Sequence, residues 1–321
     1  MMFQKIAVLG AGTMGHGIAQ LFAQNGIYTA VYDPSTQALE NAVGKVQRNI
    51  KLSLNMQESP AATSEQIESK LLYTSNLSEA ISEADLIIEA APEKIEIKRE
   101  LYRQIAPLMK AEAVMASNTS TYALEELASG VPFADRMIIM HFFNPASLVP
   151  LVEIVGLSNT DKEILEQIAG LLVQCGKAPV ILNRDIPGFI ANRLQAAVMR
   201  EASYLLENGI ADARQIDTVM TEGLGIRWVM SGPFEIADYG GLDVWEKVTG
   251  HLFPELDTRI TAPDAIQEKV RNGQLGVKSG SGFYDYGDEE QRNRLSEERD
   301  QRWIQLLQLK ERTGKSQEKL E

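Results

Sequence analysis

The chain is poor in cysteine, in histidine and in positive charge, and it has no long apolar run. Its single cysteine, Cys175, has no intrachain disulfide partner and cannot build a multi-cysteine metal site, so no metal is expected. A lone thiol suits a reducing compartment. No stretch reaches the roughly 20 apolar residues of a membrane-spanning helix. The first apolar run, KIAVL, meets glycine too soon to form the core of a secretion signal. These absences point to a soluble, cytoplasmic protein. Lysine and arginine total 31 against 44 acidic residues, a formal net charge of −13. That balance argues against broad contact with nucleic acid or an anionic membrane surface. What is there, 44% hydrophobic residues in a chain of 321, is enough for two domains with cores of their own.

Short apolar runs at 5–9, 27–32, 85–91, 113–116, 137–140, 151–155 and 179–182 are separated mostly by helical patterns. The alternation predicts an α/β Rossmann architecture, a doubly wound and mainly parallel sheet. After Asn183 the texture changes. Residues 187–208, PGFIANRLQAAVMREASYLLEN, read as one long amphipathic helix with Pro187 in its first turn. No convincing strand follows. The boundary is placed between 185 and 186, giving residues 1–185 to the α/β domain and 186–321 to an all-α domain. Residues 211–270 read as helical with glycine interruptions, and 288–311 as a charged helix with an apolar stripe of Trp303, Leu306 and Leu307. Residues 55–66 read as a polar loop, and the tail beyond Thr313 as frayed.

The first chemical motif is GAGTMG, in which Gly10, Gly12 and Gly15 enclose Thr13 and Met14 between a strand and a helix. The first glycine permits a tight turn, the second lets backbone approach a pyrophosphate, and the third lets helix pack on strand. The phosphates then meet the N-terminus of the helix. Asp33 closes the second strand 18 residues after Gly15, where a carboxylate binds a ribose 2′-hydroxyl. Pro34, Ser35 and Thr36 follow without an arginine for a 2′-phosphate, so NAD is expected rather than NADP.

His141 ends the run MIIM, at the carboxyl edge of a strand where open α/β sheets hold ligands. A histidine there is often only a hydrogen-bonded core residue. Glu153 changes the balance, because a carboxylate inside the run LVEIV is costly unless paired, and a histidine is its natural partner. Such a pair works as base and orienter. SNTS at 117–120 supplies small hydroxyls at another strand end, and is otherwise an ordinary loop or cap cluster. Asn192 sits early in the long helix. His16 belongs to the glycine helix, and His251 reads as a surface or helix-end residue.

Residues 3–286 carry GAGTMG with Asp33, IIEAAPE, SNTS, HFFNP, LVEIV, PGFIANR and GVKSGSGFYDY in this order. As a set they resemble the L-3-hydroxyacyl-CoA dehydrogenase family. The resemblance implies an NAD-binding domain, a helical substrate domain that forms a homodimer, and oxidation of a 3-hydroxyl to a ketone. It implies His141 as base, Glu153 as its partner, and Ser120 and Asn192 on the reacting oxygen. It also implies Glu93, Lys98, Ser120, Asn144 and Lys278 near the cofactor.

There are departures from the family pattern. Acyl-CoA members usually carry lysines after the second helix and a Met-Lys pair before LVE, whereas this chain has LSLNMQESP and Val149-Pro150. Tyr122 stands in SNTSTY where SNTSSL is commoner, at a position where a smaller substrate contact is expected, so it is a candidate substrate residue with Ser120, Asn192 and Arg227. VPLVEIV and GLGIRW, with Arg227 and Trp228, look more like gulonate or carnitine dehydrogenases, in which an arginine can grip a carboxylate bidentately. The expected substrate is a short-chain 3-hydroxyacyl thioester. The alternatives are a free hydroxy acid, a carrier-protein-bound hydroxyacyl or glyceryl group, and a non-catalytic NAD-binding structural protein. A β-hydroxyacid dehydrogenase would carry a lysine where Ala196 stands.

Overall fold

The computed structural model describes residues 3–55 and 62–314. Its first unit is built on eight strands: β1 (Lys5–Leu9), β2 (Tyr28–Tyr32), β3 (Leu71–Thr74), β4 (Leu86–Glu89), β5 (Val114–Ser117), β6 (Met137–Phe142), β7 (Leu151–Gly156) and β8 (Ala178–Ile181). They form one sheet in the order β3-β2-β1-β4-β5-β6-β7-β8. All neighbours run parallel except β6 and β7. Only residues 143–150 join those two, fewer than the dozen or so that a parallel crossover needs. The antiparallel register sets His141 directly opposite Glu153.

Helices α1 (Gly15–Gln24), α2 (Thr36–Asn55), α3 (Ser64–Glu68), α4 (Leu77–Ile81), α5 (Ile95–Ile105), α6 (Leu124–Ala128) and α7 (Lys162–Gln174) complete this unit's α/β layers. Val8, Ile88, Ala116, Ile138 and Met140 belong to one buried cluster, and Ala7, Leu9, Ile87, Met115 and Ile139 to another. Successive strand residues point to opposite faces, and both faces are buried, so the strands read as continuous apolar runs. β3 was not among the expected strands. LLYT is a four-residue edge strand whose residues, except Thr74, are only partly buried, so it carries little of that signal.

The long helix expected from Pro187 starts at Ala191 instead, as α8 (Ala191–Glu207). Gly188 and Phe189 both have positive φ, +79° and +49°, which a right-handed helix excludes. The compact units divide between Ile190 and Ala191, five residues past the expected 185/186, and the chain from Arg299 onward belongs to the first. Ile304 is the buried residue of that last segment, while Leu306 of the expected stripe is 41% exposed.

The second unit, Ala191–Glu298, continues from α8 with α9 (Ala213–Val219), a π-helical segment Met220–Gly225, α10 (Ile226–Met230), α11 (Pro233–Gly240), α12 (Leu242–Leu252), α13 (Asp264–Arg271) and the start of α14 (Glu289–Gly314). The polar loop expected over 55–66 lies mostly outside the described residues, and Ser64 already opens α3 behind a Thr63 cap. Residues 315–321, where the frayed tail was expected, also lie outside them. Among the described residues no helix is long and apolar enough to cross a membrane.

Candidate active site

The turn after β1 has the geometry a dinucleotide needs. Gly10 has φ +112°, and a Cβ there would lie 2.6 Å from the Ala90 carbonyl oxygen. A Cβ on Gly15 would lie 1.7 Å from the Gly10 oxygen, so only glycine lets α1 pack this closely. A Cβ on Gly12 would meet nothing within 4 Å, so its backbone is open to an approaching group. Met14 supplies no side-chain cap to α1, which leaves the helix N-terminus without a side-chain acceptor. Asp33 braces the turn: one carboxylate oxygen accepts from Ala11 N–H at 2.9 Å, the other from Ser35 N–H at 2.9 Å. These residues fit NAD, with oxygen lone pairs of Asp33 left for a ribose hydroxyl. His16 Nδ1 contacts the Gly12 oxygen at 2.7 Å, and burial lowers its pKa.

Beside this turn lies a buried ionic cluster. Glu89, the last residue of β4, is fully buried and accepts from Lys98 Nζ at 2.7 Å, Ala91 N–H at 2.8 Å, Tyr102 Oη at 2.9 Å and Ser117 Oγ at 2.6 Å. Lys98 also reaches Glu93 at 3.0 Å. Glu93 in turn accepts from the Thr119 hydroxyl at 2.5 Å, from the backbone N–H groups of Ser120 and Thr121 at 3.0 and 3.2 Å, and from the Thr121 hydroxyl at 2.8 Å. Burial pushes Glu93 up, but the donors Thr119, Lys98 and Thr121 and the charge of Lys98 together hold it down at about 2. Burial, then the charge of Glu89, pushes the Tyr102 phenol upward.

The cluster holds the loop that carries Ser120, and Ser120 Oγ lies 3.1 Å from His141 Nε2. On the other side of the imidazole, Nδ1 is 2.9 Å from Glu153 Oε2. His141 and Glu153 are 3% and 1% exposed, so the pair is held out of water. With Nδ1 donating to the carboxylate, Nε2 is the acceptor and the Ser120 hydroxyl donates to it. Asn118 Oδ1 accepts the Phe142 N–H at 2.9 Å and ties the same loop to the histidine strand.

The structure thus brings together Ser120, His141 and Glu153, with Glu93 and Lys98 supporting Ser120 from behind. Asn144 is exposed at the cis Asn144–Pro145 bond after β6. The Tyr122 hydroxyl, expected near substrate, accepts the Ile95 N–H at 3.2 Å at the start of α5. Asn192 is the second residue of α8, and Arg227 and Lys278 are exposed, all three in the second unit. His251 is exposed near the end of α12. Sequence reasoning missed Glu89 and Tyr102, and took Ser117 only as one of the SNTS hydroxyls, although Glu89 interrupts an apolar run just as Glu153 does. It also missed Lys177, whose buried Nζ donates to the Ala146 and Val149 oxygens at 2.7 and 2.8 Å and pins the β6–β7 connection. Burial lowers that ammonium to about 8.

Two family models match: "3-hydroxyacyl-CoA dehydrogenase, NAD binding domain" over residues 5–186, and the C-terminal domain of the same enzyme over 188–286. The chain belongs to the 3-hydroxyacyl-CoA dehydrogenase family. As a member it is an NAD-dependent oxidoreductase acting on a CH–OH group. The 3-hydroxybutyryl-CoA dehydrogenase of Clostridioides difficile is 34% identical over 88% of this chain and 99% of its own. L-carnitine dehydrogenase of Streptomyces griseus is 32% identical over 98% of this chain and 92% of its own. The 5-formyl-3-hydroxy-2-methylpyridine 4-carboxylate 5-dehydrogenase of Mesorhizobium japonicum is 31% identical over 97% and 99%. A solved structure of an enzyme of that name, described as an NAD-dependent dismutase, superposes with a TM-score of 0.89 at 31% identity, covering 97% of this chain and 99% of the other.

Proposed function

We propose that this dehydrogenase oxidises the hydroxyl of a small free carboxylic acid, with His141 as general base and Glu153 as its partner. One observation carries the chemistry: a buried imidazole has Nδ1 committed to a buried carboxylate and Nε2 turned toward a serine hydroxyl. NAD in the Gly10–Gly15 turn supplies the hydride acceptor. His141 Nε2 takes the hydroxyl proton, and Glu153 stabilises the imidazolium that results. Ser120 Oγ, within hydrogen-bond distance of Nε2, donates to the substrate oxygen as negative charge develops there. The resemblance adds Asn192 as a second donor. In reverse the imidazolium returns its proton to the carbonyl oxygen.

The substrate reading departs from the thioester that the family name suggests. Leu148, Val149 and Pro150, before β7, carry no cation, and Lys177, which reaches this segment, is buried with its Nζ committed to the Ala146 and Val149 carbonyls, so neither is offered to CoA phosphates. Asp300 and Ile304 of α14 line a small cavity with Leu52, Ser53, Ser147 and Leu148, which puts an acid and an apolar side chain there instead. By their names, two of the relatives act on small carboxylates, and Arg227 is a cation suited to gripping one. A short-chain hydroxyacyl thioester is the second reading, favoured by the 3-hydroxybutyryl-CoA relative. Apolar side chains of the second unit such as Phe234, Tyr239 and Leu242 are 86%, 81% and 63% exposed, and this supports a homodimer through that unit.

The test compares NAD reduction with carnitine, gulonate and the pyridine aldehyde of the named relative against NADH consumption with acetoacetyl-CoA. Turnover of a free acid is expected, with Arg227→Ala raising its KM about tenfold or more and leaving kcat nearly unchanged. Fast turnover of the thioester alone would replace the free-acid reading by the second one.

A further inference from the structure

The Asp185–Ile190 segment ends the first unit in a conformation that local sequence preference opposes. The apolar spacing from Pro187 onward favours a helix, yet Gly188 and Phe189 both turn left-handed. Phe189 is the one non-glycine residue with positive φ among the described residues. A bulky L side chain adopts this conformation at a cost, and such residues gather where surrounding structure has a use for them.

The use is visible in where the next N–H goes. In a helix begun at Pro187, the Ile190 N–H would bond to the Ile186 carbonyl four residues back. In the observed turn the Phe189 N–H takes the Ile186 oxygen at 2.9 Å. The Ile190 N–H is thereby released and donates to Glu153 Oε1 at 2.8 Å. The same turn buries the Phe189 ring to 1% exposure, 5.1 Å from the His141 ring centroid. Phe143 lies 4.5 Å from the same imidazole, so two aromatic rings flank it. Upstream, Asp185 Oδ2 accepts the Leu124 N–H at 2.7 Å, at the end of the loop that carries Ser120. A single short segment therefore touches the serine loop, the imidazole and the carboxylate.

We propose that Phe189 is a positioning residue for the His141–Glu153 pair, and that the left-handed Gly188–Phe189 turn exists to deliver its ring and the following N–H to that pair. The proposal rests on the reading of His141 as base. The ring keeps water from the imidazole and limits its rotation. The Ile190 N–H occupies Oε1 of Glu153, so that Oε2 stays on Nδ1. A base misplaced by about 1 Å loses on the order of 10²-fold in rate, which sets the size of the expected effect.

The test uses the full-length protein with Phe189→Ala, Phe189→Leu and Gly188→Ala. Leu keeps apolar volume, and Gly188→Ala opposes the turn while keeping the Phe189 side chain. With the free acid or thioester that the wild type turns over, each variant should lower kcat by about 10- to 100-fold. NADH affinity should stay within about twofold, because none of these substitutions alters Gly10, Gly12, Gly15 or Asp33. In a His141→Gln background the same substitutions should cost nothing further, since Phe189 acts only through His141. A readout free of turnover is the NMR signal of the ring N–H that His141 shares with Glu153 at 2.9 Å, assignable by its loss in His141→Gln because the chain has three histidines. It should exchange with water about tenfold or more faster in Phe189→Ala, as water reaches the imidazole that the Phe189 ring covers. Wild-type kcat in all three variants, an equal further loss in the His141→Gln background, or an unchanged exchange rate of that ring N–H would overturn the proposal. Retained activity of His141→Gln itself would overturn the base assignment instead, so the two failures are distinguishable.

Discussion

The two units handle polar and apolar groups in opposite ways. The first hides its charges: Glu89, Lys98, His141 and Glu153 are each at most 3% exposed, and each has a charged or ionisable partner within 2.9 Å. The second leaves apolar groups outside. Over Ala191–Glu298 only Ser203, Ile236 and Gly280 are buried, while Phe234, Phe253 and Ile260 are 86%, 65% and 99% exposed. Burying a charge costs several kcal/mol unless it is paired, so the first unit's interior is built for chemistry and must be rigid to hold it. Exposed apolar surface costs on the order of 25 cal/mol per Å², a cost that the homodimer proposed above would remove.

The sharpest break in this comparison removes the chemistry and leaves the fold. His141→Gln keeps a side-chain amide near Glu153 and Ser120 but has no basic nitrogen. It should lower kcat by about 10² to 10⁴, with NADH binding by fluorescence near the wild-type value because the glycine turn is untouched. Activity above a tenth of wild type would remove His141 from the proton-transfer step.

The next break concerns the second unit. Phe234→Asp combined with Leu242→Asp places charge on its exposed apolar surface without disturbing a buried side chain. If the proposed homodimer forms through this surface, sedimentation should show its dissociation constant raised by about 10² or more, with the thermal unfolding of the first unit unchanged. A double variant that sediments as the wild type does would mean that these residues face solvent in the assembled protein. The matching change in the first unit, Ile88→Asp at a fully buried strand position, should instead prevent folding.

Sequence and structure agree where one residue's cost is visible in its neighbours. The tight turn was legible in Gly10, Gly12 and Gly15 because the strand-turn-helix context leaves few other reasons for three glycines, and the pairing of Glu153 with His141 because a carboxylate in an apolar run demands a partner. Glu89 obeys the same rule. Its partners Lys98, Tyr102 and Ser117 come from α5 and β5, up to 28 residues away, and no local spacing announces them. β3 was too short to rise above its surroundings. The start of α8 was misread for a better reason, since the apolar spacing from Pro187 is helical. The tertiary demand of Glu153 for the Ile190 N–H overrides it.

The smallest expected effect concerns the acid that joins the cofactor side of the site to the serine loop. Glu93 is held at about 2, against 4.5 for an ordinary glutamate. A folded-state value below the unfolded one means that the folded protein binds fewer protons in that interval. The stability it contributes is therefore complete above about pH 4.5 and is lost as pH falls from there through about 2. Glu93→Gln keeps an oxygen for the Ser120 and Thr121 N–H groups and gives up the ion pair with Lys98. The variant's Tm should lie below that of the wild type by a few degrees at neutral pH, and the gap should narrow as pH falls below about 4.5. Because the Glu93 side chain is 36% exposed, added salt should shrink the gap as well. Lys98 and Glu89, at 1% and 0% exposure, sit beyond the reach of that screening. A gap that ignored both pH and salt would assign Glu93 to packing rather than charge.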